Sequence, residues 1–500
     1  MGETILVEST IHNERVAILE QGRLAELYLE RRRDRSLLGV ILKGRVHRVL
    51  PGMQAAFVDA GLERDVFLYV DEVRRGLDVA SGIDAWDDDE REEGEPAAEG
   101  PPIEALVKVG QELLVQVIKE PLANKGARVT TAITLPGRFL VYVPGASHRG
   151  ISRRITDEVE RERLRALLAE LPPLEAGLIV RTAGQGVEAA ALERDLAYLQ
   201  RQHQRIVERA SLLRSPSRVH QDLDLPARIL RDRLGPGVDE VWIEGAETFA
   251  AAVEYVEAVE PALRGRLHQS KVRGALFARH HVERQIAAAL ADRVGLDSGG
   301  SLVIQQTEAL VAIDVNSGRY VGRSNLQDTA RTTNLEAAKE VARQIRLRNL
   351  AGIIVVDFID MESLEHRAEV LAELETALAP DRARTRILAM SEFGLVEITR
   401  KRGRPSLERL LTRPCPRCSG RGRVPALFAL ALEVRRRALD TLEEQGSRRL
   451  ELYAHPELIA ALAGPERAIL EELERASGQP IALVPEAARA PEAFDVVGLG

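Results

Sequence analysis

Four groups of residues in this 500-residue chain have the types and spacing to do chemistry. The first is Asp314, Asn316 and Asp357. Asp314 closes the apolar run ALVAIDV and Asp357 the run GIIVVDF, so each carboxylate stands at the end of a strand. Two carboxylates beside an amide are hard oxygen ligands that suit Mg²⁺. That ion takes one or two protein carboxylates and keeps its waters for phosphate. Held there, it can activate water and neutralise charge on a phosphoryl group in transit. An aspartate at a strand end also often caps a turn or a helix. Two such ends, with Asn316 adjacent and many arginines nearby, favour the metal. Asp360 is read as a helix cap rather than an outer partner of that ion.

Cys415 and Cys418, in CPRCSGRG, are the only cysteines. Thiolates at this spacing suit tetrahedral Zn²⁺, and no thioredoxin-like context supports a redox pair. Two thiolates make half a structural site. Either histidines complete it or a second chain brings its own pair, and only the second option needs no further motif. The third group is Phe57, Phe67 and Tyr69 with Lys43, Arg45, Arg48 and Lys125. Aromatic faces stack unpaired bases while cations follow phosphates; the phenylalanines are equally readable as core. The fourth is Arg181-Thr182 in LIVRTAGQG. A guanidinium, a hydroxyl and loop amides can hold a terminal phosphate. Gly184 and Gly186 do not complete a dinucleotide fingerprint, no Walker A loop is present, and no Ser-His-Asp set stands out.

The elements around these residues follow from periodicity. ILVEST and ERVAILEQGRLAELYLE read as strand, turn and strand. GVILKGRVHRVL, MQAAFVDAG and RDVFLYV alternate with period two, and the pattern resumes at ELLVQVIKE and ARVTTAITL. That is a small antiparallel barrel with an insertion. The insertion at 84–99 carries nine acids and one arginine and is expected to be a disordered loop. From Arg138 strands FLVYVP and LIVRTA alternate with helices, one over Ala189–Ala210, until Ser215-Pro216-Ser217. VDEVWIEG then alternates with helices TFAAAVEYVEAV and HVERQIAAALADRV. Next, SLVIQQ and ALVAIDV precede a helix in TNLEAAKEVARQIRLRNL with Ala337, Val341 and Ile345 inward, then GIIVVDF, another helix and TRILAM. The near-continuous apolar strands predict a buried α/β sheet with its ligands at the strand ends. From Pro425 a small α+β piece is expected, with a helix at Ala429–Glu444 and broken helical turns from Pro456 to Ala476.

Length predicts several domains. The net charge of −8 is carried by the acidic insertion, so the remainder is neutral overall but holds basic blocks such as Arg31–Arg33, Arg153-Arg154 and Arg400–Arg402. No apolar run is long enough to span a bilayer and no secretory leader opens the chain. A cytoplasmic location is expected.

In order and content the chain resembles the ribonuclease E/G family. AAFVDAG, NKGARVTT, GISRRI, IVRTAG, TEALVAIDVNSGR, TNLEAAKEVARQIRLRNLAGIIVVDFIDM and CPRCSGRG carry the resemblance over nearly its whole length. It implies a multidomain α/β protein: an RNase H-like subdomain (1–38 and 219–290), an S1-type (OB) barrel inserted at 39–129 and a 5′-sensor at 130–218. A DNase I-like catalytic subdomain (291–412), a zinc link (413–422) and a small dimerisation domain (423–500) would follow. It implies Mg²⁺ at Asp314, Asn316 and Asp357, RNA contacts at Phe57, Phe67 and Lys125, and a 5′-monophosphate pocket at Gly137, Val141, Arg181 and Thr182. Cys415 and Cys418 would share Zn²⁺ between chains in a homodimer, with a homotetramer, a pair of such dimers, as the alternative assembly. The implied activity is endonucleolytic cleavage of single-stranded, A/U-rich RNA with 5′-phosphate products, in rRNA maturation and mRNA decay. The long C-terminal scaffold of ribonuclease E is absent, which places the resemblance nearer the ribonuclease G branch. A scaffold that binds RNA without cutting it would have lost a metal carboxylate, and both are present. A DNA nuclease is disfavoured by the S1 barrel.

Overall fold

The computed structural model describes all residues except 1, 35, 78–99, 122–125, 173, 222, 272–273, 319–325, 446–448 and 500. The acidic insertion at 84–99 and Lys125 therefore lie outside the described residues. The chain divides into two units, Met1–Leu410 and Leu411–Gly500.

In the first unit, β1 (Glu3–Ser9), β2 (Asn13–Glu20) and β3 (Arg23–Arg31) form the antiparallel meander read from the sequence. The barrel follows as β4 (Ile41–Leu50), β5 (Ala55–Asp59) and β6 (Val66–Tyr69), then helices α1 (Val70–Leu77) and α2 (Ile103–Leu106), then β7 (Glu112–Lys119) and β8 (Arg128–Thr130). Strand β4 pairs with both β5 and β7, which closes five strands in the order β4-β5-β6-β8-β7. The buried residues Leu42, Val46, Val58, Val66, Leu68, Val115 and Val129 fill the interior. Their period-two spacing sends the side chains between them outward.

Next come β9 (Leu135–Pro136), β10 (Leu140–Pro144), β11 (Arg149–Ile151), α3 (Glu158–Glu170), β12 (Ala176–Val180) and the long α4 (Ala189–Leu212). Strands β11-β12-β10-β9 form one sheet, and Leu192, Leu196 and Leu199 of α4 pack in the same core as Leu140 and Leu178. Strand β13 (Ser217–His220) returns to pair with β4. Helix α5 (Leu225–Arg233), β14 (Val238–Glu244), α6 (Ala246–Val259), β15 (Leu267–Ser270), α7 (Leu276–Arg279) and α8 (Val282–Ala288) then complete the N-terminal sheet in the order β15-β14-β1-β2-β3. Helix α8 is shorter than expected. Arg293–Gly295 forms strand β16 instead, paired with the strand that follows, so sheet pairing there overrides helical periodicity.

The last sheet of this unit holds β16 (Arg293–Gly295), β17 (Ser301–Gln306), β18 (Leu310–Asn316), α9 (Leu326–Leu347), β19 (Gly352–Asp357), α10 (Leu364–Leu378), β20 (Thr385–Ile387) and β21 (Leu395–Arg400). Its order is β16-β17-β18-β19-β21-β20, and only β18 and β19 run parallel. The expectation of a sheet buried on both faces is corrected here. Burial alternates along β18 and β21, and Ile353 in β19 is 50% exposed. A mostly antiparallel sheet needs cover on one face only. That cover is α9 and α10, with Ala337, Val341 and Ile345 fully buried against Ile313, Ile354 and Val356. A short helix α11 (Leu407–Leu411) follows.

The second unit holds α12 (Leu427–Gln445), β22 (Arg449–Ala454), α13 (Pro456–Ala463), α14 (Arg467–Ser477), β23 (Ala482–Pro485) and β24 (Phe494–Leu499), the α+β piece expected. Its sheet runs β23-β22-β24 and shares a core with Val434, Leu458 and Leu473.

Candidate active site and RNA-contact surfaces

Strands β18 and β19 are in register, and the pairing sets Asp314 directly beside Asp357. Both side chains fall on exposed positions of their strands, so the carboxylates stand on the open face and not within the buried sheet expected from the sequence. Partial desolvation at the sheet surface, then the neighbouring charges of Asp314 and Asp360, push the Asp357 carboxyl above its ordinary value. Asn316 Nδ2 donates to Asp314 Oδ2 at 2.7 Å and fixes the direction of that carboxylate. Close backbone approach supports this end of β18. A Cβ on Gly300 would lie 2.7 Å from the Asn316 carbonyl, and one on Gly318 would lie 2.3 Å from the Gly299 carbonyl.

Asp360 is not the cap of α10. Ser363 fills that role, its side chain accepting the His366 N–H. The loop after Asp357 is held instead by Asn334, a fully buried side chain of α9. Its amide donates to the Ile359 carbonyl at 2.8 Å and accepts the Ile359 N–H at 3.0 Å. Sequence reasoning missed it. The available signal was a lone amide on the stripe shared with Ala337, Val341 and Ile345.

No group of three or more His, Cys, Asp or Glu side chains gathers among the described residues as a complete metal cage. Two carboxylates nevertheless match what Mg²⁺ asks of a protein. The CPRC turn offers half of a tetrahedral zinc set. Ser419 N–H reaches the Cys415 carbonyl at 2.8 Å, and Gly422 N–H approaches Cys418 Sγ at 3.3 Å. Gly420 and Gly422 take left-handed φ of 83° and 69°, where a side chain would strain the turn. Backbone N–H groups of Cys418 and Arg417 hold the Cys415 thiol below its ordinary range. Both thiols are free.

On the barrel, Phe57, Phe67 and Tyr69 are half-buried on outward positions, which decides against the core reading. Phe57 and Phe67 meet edge to face at 5.1 Å, and Phe67 meets Tyr69 at 4.4 Å. Arg48 lies 5.6 Å from the Phe57 ring and Arg128 4.5 Å from the Tyr69 ring. The register Arg48, Phe57, Phe67, Arg128 runs across four strands as one stripe. Arg128 was not singled out from the sequence, although it lies within NKGARVTT. Lys43 does not belong to this stripe. Its ammonium donates to the carbonyls of Ala210 (3.1 Å) and Leu213 (2.9 Å) and pairs with Glu112, tying the end of α4 to the barrel. Arg45 also pairs with Glu112.

Val141, Arg181 and Thr182 meet around a cavity of about 890 Å³. Seven arginines and His148 line it, against Asp232 and Asp381. Arg149 and Arg161 are committed to backbone carbonyls, at 2.7 Å to Pro172 and 3.0 Å to Ile155. Arg153 and Arg154 are exposed at the rim; the sequence showed them only as a basic block. Arg181 pairs with Asp232 at 3.0 Å and also donates to the Gly137 carbonyl. Burial raises Asp232, but Arg231, Arg181 and Arg382 overcome it and hold the carboxyl below its ordinary value. Gly137 does not line the cavity. A Cβ there would lie 2.6 Å from the buried Asp195 carboxylate, which accepts N–H bonds from Arg138 (3.1 Å), Phe139 (2.7 Å) and Leu140 (2.9 Å). Asp232 and Asp195 are supports that no motif announced.

Residues 134–403 match the model of the ribonuclease E/G family. Ribonuclease G of Escherichia coli K12 is 41% identical, over 99% of this chain and 100% of that protein. Ribonuclease G of Haemophilus influenzae is 40% identical, over 99% of each chain. Ribonuclease E of Escherichia coli K12 is 36% identical, over 96% of this chain and 44% of its own length. With the in-register carboxylates, the closed barrel and the basic cavity in one molecule, these likenesses lead to one conclusion: the chain belongs to the ribonuclease E/G family.

Proposed function

We propose that this endoribonuclease, a hydrolase acting on RNA, cuts single-stranded RNA beside Asp314 and Asp357 in a Mg²⁺-dependent reaction. The observation that carries the reading is the registered pair of carboxylates on an open sheet face. Asp314 and Asp357 would hold the ion, which when bound supplies Lewis-acid stabilisation and a reactive water. Asn316 orients Asp314, and Asn334 fixes the loop that leaves Asp357. The Arg48–Phe57–Phe67–Arg128 stripe stacks unpaired bases and meets phosphates, with Lys125 as a further cation from the family pattern. Arg181, Thr182 and Val141 receive a 5′-monophosphate, and Gly137 acts through its contact with Arg181.

Family membership supports the finer assignments: a preference for A/U-rich, 5′-monophosphorylated substrates, a place in rRNA maturation and mRNA decay, and the subdomain boundaries given above. The same support, with the half-site geometry of the CPRC turn, favours a homodimer joined by Zn²⁺ at Cys415 and Cys418, with a homotetramer of two such dimers as the alternative. No helix among the described residues is long and apolar enough to cross a membrane; a cytoplasmic location rests on the family.

The test is cleavage of a short 5′-monophosphorylated, A/U-rich RNA by the purified protein. Cleavage with Mg²⁺, none with EDTA, and none in Asp357→Ala are expected. Full activity of Asp357→Ala would defeat the site, and RNA bound but uncut with Mg²⁺ would defeat the reaction. For the zinc link, Cys415→Ser is expected to lose zinc and halve the mass in sedimentation. A variant that keeps both would remove the shared site.

A further inference from the structure

A second cavity, of about 490 Å³, opens between α4 and α6, and none of the residues discussed as site residues lines it. Each helix gives it one face. Tyr198, Arg201, Gln202 and Arg205 follow the i, i+3, i+4, i+7 spacing on α4. Tyr255 on α6 stands between Ala251 and Ala258, whose small side chains leave the groove its width. Gln221 also lines it.

The chemistry of this lining is selective. Tyr198 is half-buried and meets Tyr255 edge to face, centroids 5.5 Å apart, so its ring is held in place. Gln202 Nε2 donates to the Tyr198 hydroxyl at 3.1 Å, which leaves the Gln202 carbonyl oxygen as an acceptor. Gln221 Oε1 accepts from Arg218 at 3.1 Å, which leaves its amide nitrogen as a donor. Arg201 and Arg205 are exposed, and neither has a carboxylate partner among the described residues. Two carboxylates also line the cavity, Glu254 and Asp224, and they oppose a second phosphate; Asp224 Oδ1 already accepts the Ala227 N–H at 3.1 Å.

A fixed aromatic ring, one acceptor, one donor and two unpaired guanidinium groups complement a nucleotide. The base stacks, its edge meets the two amides, and the phosphate takes the arginines. The volume suits a ligand of that size. We propose that this cavity binds one nucleotide unit carrying a single phosphate, as a free nucleoside monophosphate or within an RNA chain.

The experiment uses the full chain in an Arg181→Ala background, so that the basic cavity does not contribute. Uridine and adenosine monophosphates are titrated by calorimetry, and a 4-thiouridine RNA is photocrosslinked and mapped. Saturable mononucleotide binding is expected. It should weaken about tenfold or more in Arg201→Glu/Arg205→Glu. Ala251→Trp, which fills the groove from an exposed position, should do the same. Crosslinks at Tyr198 that free mononucleotide displaces assign the site to either source; crosslinks that it does not displace assign it to the RNA chain. Binding that is absent, or indifferent to both variants, together with no crosslink at Tyr198, overturns the proposal.

Discussion

The strand ends of β18 and β19 and the basic cavity beside β12 are both read as meeting phosphate, yet they carry opposite charge. At the strand ends two carboxylates stand side by side, and their mutual repulsion is part of what raises Asp357. That arrangement cannot approach an anion without a cation between them. The cavity brings its own cations, and several are already bonded to carbonyls or to Asp232, so their positions are set before any ligand arrives. On the proposed reading one region borrows its positive charge from a bound ion and would lose it to a chelator. The other owns it.

Asp357→Ala should have the largest effect, a loss of cleavage of at least about a thousandfold, with RNA affinity nearly unchanged. A variant that loses affinity and keeps turnover would reverse the roles of the two regions. Arg181→Ala should narrow the rate ratio between 5′-monophosphate and 5′-hydroxyl RNA by about one to two orders of magnitude. It should leave the Mg²⁺ dependence as it is; an unchanged ratio would remove the cavity from 5′-end recognition. Phe67→Ala should weaken single-strand binding by about 1–3 kcal/mol without altering that ratio. Equal binding by the variant in a filter or anisotropy assay would return the ring to a structural role.

The smallest effect is one of pH. Glu160 accepts the Gly186 N–H at 2.7 Å and so pins the turn that carries Thr182. Arg163, and then that N–H, hold its carboxyl at about 2, below the ordinary 4.5. Since the folded value is the lower one, its contribution to stability is complete above about 4.5 and fades as pH falls toward 2. Glu160→Gln should flatten the melting temperature across that window. An identical acid limb would mean that the contact does not form in solution.

Much of this was legible in the sequence. Period-two runs located the barrel strands, and the apolar stripe of Ala337, Val341 and Ile345 located the inner face of α9. Asp314 and Asp357 were visible because each ends an apolar run. What periodicity could not show was which face of the sheet remains open, because that depends on strand direction, and only one pair runs parallel. It also could not distinguish cations aimed at solvent from those spent internally. Lys43 looked like a phosphate contact and instead closes the end of α4. Asp195 and Asp232 lie far in sequence from the groups they support, so no local motif contains both partners; Asn334 and Ile359 share one quoted run, but on different elements of it.

Asp195 has one further consequence. The peptide units Gly137–Arg138 and Arg138–Phe139 each turn an N–H toward its carboxylate, while their carbonyl ends accept the Arg181 guanidinium. Two peptide dipoles, each about 3.5 D, are thus lined up between a buried anion and a cation at the cavity wall. They act as a relay. A carboxylate that never touches solvent sets the heading of the arginine that faces it.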